Sequence, residues 1–106
     1  MLNMPPLVTE AGDLRVHGRE GIYLPFVFQQ DDGSPRDMTG ADVRFELEGF
    51  TKALVAGDEA DQMVLVIDQG ELPDTIGRVV PFIVLDYSGA TPHPVWEGNL
   101  IQTGWR

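Results

Sequence analysis

The sequence predicts an all-β domain: a small antiparallel β-sandwich, immunoglobulin-like, of about seven short strands. Three observations predict it. Apolar and polar residues alternate in short runs, as in Ile22, Leu24, Phe26, Phe28 and again in Val43, Phe45, Leu47. Successive strand side chains point to opposite faces, so each run can give one face to a core and the other to water. Turn-forming residues recur between the runs, and no helix-length segment carries a capped i, i+3, i+4 apolar stripe.

The elements follow in order. Residues 1–12 are an N-terminal arm and residues 13–106 a single domain. Pro5 and Pro6 favour an extended arm, and Leu2, Met4 and Leu7 make it apolar. Leu14–His17 is a short first strand, followed by a turn at residues 18–21. The second strand runs over Ile22–Gln29; Pro25 has no N–H to give a ladder, so this strand belongs at an edge or carries a bulge. Asp31-Asp32-Gly33-Ser34-Pro35 is a dense turn signal, since Asp bonds its own backbone and Gly accepts positive φ. Thr39-Gly40 forms a corner before the third strand, Asp42–Glu48. A short strand is expected over Thr51–Val55, then an acidic loop over Gly57–Asp61. Met63–Ile67 is a continuous apolar run, hence a buried strand. Arg78–Leu85 is the next strand, Asp86–Pro94 a long hairpin loop, and Val95–Thr103 the last strand, interrupted at Gly98.

Composition narrows the function. Seventeen acidic residues face seven basic ones, a formal net charge of −10. That disfavours nucleic acid, whose phosphates need clustered Lys and Arg, and anionic membrane surfaces. There is no cysteine, so neither disulfides nor thiolate chemistry is available. The N-terminus lacks the basic start and apolar core of a signal peptide, and no apolar run reaches membrane-spanning length.

No reactive constellation is visible, and no catalytic residue, cofactor site or metal site is expected. His17 and His93 are the only imidazoles, with no HxxxH pair. Ser34 and Ser88 lie in turn sequences and not in GxSxG. Asp31-Asp32 and Asp58-Glu59-Asp61 lack the calcium-loop spacing and read as solvated turn acids. No phosphate-binding glycine motif occurs. Trp96 and Trp105, with Tyr23 and Tyr87, are candidates for a sugar-stacking platform, but such aromatics are more often core or interface. Tyr87 in a loop and Trp105 at the terminus are the better interface candidates.

The ordered set Gly21-Ile22-Tyr23-Leu24-Pro25-Phe26-Val27-Phe28, Asp31-Asp32-Gly33-Ser34-Pro35 and Asp37-Met38-Thr39-Gly40-Ala41-Asp42-Val43-Arg44-Phe45 resembles a β-sandwich domain of tailed-bacteriophage virion proteins. The similar domains are the N-terminal domain of baseplate upper proteins and a small sandwich of long-tail-fibre proteins. Gly77-Arg78-Val79-Val80 and Trp96-Glu97-Gly98-Asn99-Leu100 match its later elements, so the resemblance covers about residues 13–103. Its motifs are turns and core positions, none catalytic. Met38 stands where that pattern has Leu. The resemblance implies a non-enzymatic structural virion protein, made in the host cytoplasm and joined to other virion proteins. It would act in the tail, baseplate, fibre-attachment or connector region, in symmetric homo-oligomeric copies. Baseplate relatives continue into receptor-binding parts; this sequence ends at Arg106, so the expectation is an adaptor. The alternatives are a capsid decoration protein and a carbohydrate-binding module. The interface residues expected are Leu2, Met4, Pro5, Pro6 and Leu7 of the arm, with Tyr87, Trp105 and Arg106.

Overall fold

A computed structural model describes residues 7–8, 12–18 and 20–104. It is all-β. Among the described residues nine strands lie in two sheets: β1 (Leu7–Val8), β2 (Leu14–His17), β3 (Ile22–Val27), β4 (Val43–Leu47), β5 (Phe50–Ala53), β6 (Val55–Ala56), β7 (Gln62–Ile67), β8 (Val79–Asp86) and β9 (His93–Thr103). The larger sheet has the order β1-β2-β9-β8-β4-β5, and the smaller has β3-β7-β6. The two strands beyond the expected seven are the two-residue β1 and β6. Pairing is antiparallel except where β2 runs parallel to β9. Of the expected arm, Leu7–Val8 pairs with β2 of its own chain.

The alternating runs on either side of the acidic turn do not pair with each other. β3 belongs to the small sheet and β4 to the large one, so residues 28–42 carry the chain across the sandwich. Phe28 and Met38 donate backbone hydrogen bonds to the carbonyls of Asp61 and Ala60, which pins this crossing to the β6–β7 loop. Within it, Gly33 adopts φ 87° and Ser34 caps on Asp32, closing a miniature hairpin at the Gln29–Pro35 bridge. Asp37 accepts from both the amide and the hydroxyl of Thr39, forming the corner that launches β4. The expected strand at residues 51–55 is split: buried Leu54 is the point where the chain leaves the large sheet and enters the small one.

The inward residues of both sheets form one core, with Phe45, Leu14, Leu65, Ile67, Leu100 and Val84 fully enclosed. All five phenylalanines and Trp96 join in a chain of ring contacts across it, Phe50–Phe45–Phe82–Trp96–Phe26–Phe28. The Phe82–Trp96 centroids are 4.8 Å apart in an edge-on arrangement, the geometry favoured by the ring quadrupole. Full burial of a side chain such as Phe45 or Phe82 stabilises the fold by roughly 1.5–3 kcal/mol.

Two expectations about the last hairpin are corrected. β9 runs unbroken through Gly98, because that glycine serves a close approach and not a break. A Cβ there would lie 2.4 Å from the Gly12 carbonyl oxygen. The strands also extend into the expected Asp86–Pro94 loop, which shortens to residues 87–92, with the register shifting around Val95.

Candidate interaction surface

In the large sheet the outward residues of β8 are Val79, Pro81, Ile83 and Leu85. Ile83 lies in register between Glu46 and Glu97, and Leu85 between Arg44 and Pro94. Val79 lies beside Ile101, which lies beside Arg15. Long charged side chains therefore stand beside Ile83 and Leu85, which are half-buried, whereas Val79 at the far end of the strip is 63% exposed.

Those charges are themselves held. The Arg44 guanidinium binds the Asp42 carboxylate in bidentate fashion at 3.0 and 2.8 Å and stands 4.5 Å over the Tyr87 ring. The hydrogen bond and charge of Asp42 raise the pKa of Arg44. Tyr87 donates its hydroxyl to Glu46, and that bond raises the pKa of the phenol. Tyr87, expected at an interface, is thus half-buried in an intramolecular network on the large sheet.

The small sheet differs. Its strands read IYLPFV, VA and QMVLVI and contain no charged residue. The inward set is Ile22, Leu24 and Phe26 against Ile67, Leu65 and Met63. The outward set is therefore Tyr23 beside Val66, Val64 between Pro25 and Val55, and Val27 beside Gln62. Tyr23, Val27 and Val55 are 47%, 60% and 51% exposed. Val64 is only 4% exposed yet stands outside the contiguous core, as expected for the centre of a separate apolar patch on the opposite face. Acids stand at the ends of the sheet: Asp58, Glu59 and Asp61 in the β6–β7 loop, and Glu20 and Asp68 beyond β3 and β7. Pro25 is accommodated because β3 has a neighbour on one side only, as an edge strand should.

Of this face the sequence singles out only Tyr23 and the edge position of Pro25, although a wider signal is present. Tyr23, Pro25 and Val27 were visible as the second face of the Ile22–Phe28 alternation, and they are apolar where a solvated face should be polar. Leu2, Met4, Pro5, Pro6, Trp105 and Arg106, expected at interfaces, lie outside the described residues; Leu7 is in β1.

Trp96 is half-buried on the inward face, packed on Phe82 and Phe26, whereas Tyr87 is tied to Arg44 and Glu46, so the two rings do not make one platform. Among the described residues no group of three or more His, Asp or Glu is placed to hold a metal ion. Asp86 is 3% exposed and accepts from the Arg36 guanidinium at 2.9 Å and the Ser88 amide at 2.9 Å. Burial raises its pKa, but the bonds from Ser88 and Arg36 outweigh that and hold it below the ordinary value of 3.8. Gln102 is buried on the inward face of β9, where its carbonyl accepts from the Thr75 amide and hydroxyl and its amide donates to the Gly18 carbonyl. It ties the connections before β3 and before β8 together. Lys52 and Glu71, 2.7 Å apart, link β5 to the β7–β8 connection.

Searches of family models, curated proteins and solved structures find no match to this chain.

Proposed function

We propose that this chain is a non-enzymatic structural subunit that works through protein–protein contacts, as an adaptor in the tail, baseplate, fibre-attachment or connector region of a tailed-bacteriophage particle. The observation that carries the contact role is the uncharged, exposed outer face of the small sheet, in a molecule with net charge −10. Contiguous apolar surface of that kind marks interaction sites in soluble proteins. The virion setting is supported by the sequence resemblance over residues 13–103. Its Asp31–Pro35 and Asp37–Phe45 motifs are the turn and the corner that carry the chain from one sheet to the other. In the particle the chain is arranged in symmetric copies around an axis, beside other virion proteins.

Quantitative mass spectrometry of particles assembled from the genome that encodes this chain tests the proposal. The chain is expected in the purified particle at a fixed ratio to the major tail or head protein. Its absence from particles while it accumulates in the lysate would overturn the virion assignment.

A further inference from the structure

We infer that the outer face of the small sheet takes a different protein chain, one that presents an apolar strip flanked by lysine or arginine, and not a second copy of itself. The inference rests on the reading of this chain as a contact protein and names the partner of that surface.

Three observations lead to it. First, the patch is apolar throughout its centre: Tyr23, Pro25, Val27, Val55, Val64 and Val66, with Gln62 at its margin. An occupant must therefore bring apolar side chains, since a polar partner would lose hydrogen bonds to water and gain none. Second, the charged residues described at the two ends of the sheet are acidic. Asp58 and Glu59 are exposed beside the Val27–Gln62 end, and Glu20 and Asp68 are exposed beside the Tyr23–Val66 end. A basic flank on the partner complements them and speeds encounter, whereas an acidic flank is repelled. Third, a second copy fits poorly. Face-to-face packing would bring acidic rims together between molecules of net charge −10 each. Edge-to-edge pairing through β3 would meet Pro25, which has no N–H to donate.

Titration of the labelled protein with two synthetic peptides tests this, read by amide chemical shifts. Both peptides alternate Val and Thr; one carries lysine pairs at its ends and the other glutamate pairs. The lysine peptide is expected to shift amides of β3, β6 and β7, to bind about tenfold more tightly than the glutamate peptide, and to weaken as salt is added. The double variant Val27→Glu/Val55→Glu should lose that response, and Val27→Thr/Val55→Thr, which keeps side-chain shape, should weaken it. Equal response to both peptides, no response to either, or a response on the outer face of the large sheet would overturn the inference. So would concentration-dependent shifts of β3, β6 and β7 without peptide, which would make the occupant a second copy. Particle composition does not enter this experiment. A chain missing from virions that still prefers the lysine peptide keeps this inference and loses the virion assignment.

Discussion

The outer faces of the two sheets carry apolar residues in nearly the same alternation, yet they differ in what stands beside those residues. On the large sheet Ile83 and Leu85 have Glu46, Glu97 and Arg44 as cross-strand neighbours. On the small sheet Tyr23 neighbours Val66, and Val64 stands between Pro25 and Val55. An exposed apolar residue is therefore uninformative alone. Its neighbours across the ladder decide whether charged stems cover it or whether it joins a patch that another protein must cover.

The largest effect should come from the interior that both faces share. Phe82→Ala removes the ring that contacts both Phe45 and Trp96, and should cost about 3–5 kcal/mol. Denaturant unfolding followed by probes on each sheet should show the loss in one common transition. Two separate transitions would break the comparison by making the faces belong to independent units.

Gln102→Leu should cost about 2–3 kcal/mol, because the Thr75 amide and hydroxyl lose their acceptor while buried. Thermal melts measure this. A neutral result would mean that Thr75 finds another partner.

Arg36→Ala should cost about 1–2 kcal/mol at pH 7, since a buried carboxylate loses its charged donor while Arg36 itself is partly solvated. The sign with pH follows from the lowered pKa of Asp86. Its contribution is complete above the unfolded value near 4 and is lost as pH falls through the lower folded value. The gap between Arg36→Ala and the parent should therefore close in acid below that value, as urea midpoints measured across pH would report. A gap that widens in acid would contradict the assignment.

The smallest effects on stability should come from the faces themselves. Glu46→Gln should change stability by about 0.5 kcal/mol or less, because it loosens only a partly exposed contact to Tyr87. Val27→Glu and Val55→Glu should each stay within about 0.5 kcal/mol, as substitutions at exposed positions do.

Much of the fold was legible because period-two alternation and turn chemistry are local. The strands at Leu14–His17, Val43–Leu47 and Gln62–Ile67 lie within a residue of where the pattern placed them, and Pro25 is on an edge strand as its missing donor requires. Sheet membership was not legible. Nothing local says that β3 and β4 belong to different sheets instead of pairing, or that Leu54 is a crossing point between sheets. Gly98 read as a break because its reason, the backbone of Gly12, is distant in sequence. Gln102 was legible in principle: it shares the inward parity of Leu100, and a polar residue at such a position demands buried partners. The candidate surface needed the pairing register, since only cross-strand neighbours separate it from the outer face of the large sheet.

The most direct test of this difference is an amide chemical-shift map recorded as the lysine-flanked peptide is added to the native protein. Shifts are expected at Tyr23, Val27, Val55, Val64 and Val66 and none at Ile83, Leu85 or Tyr87. Shifts centred on Ile83 and Leu85, or no shifts on either face, would contradict it.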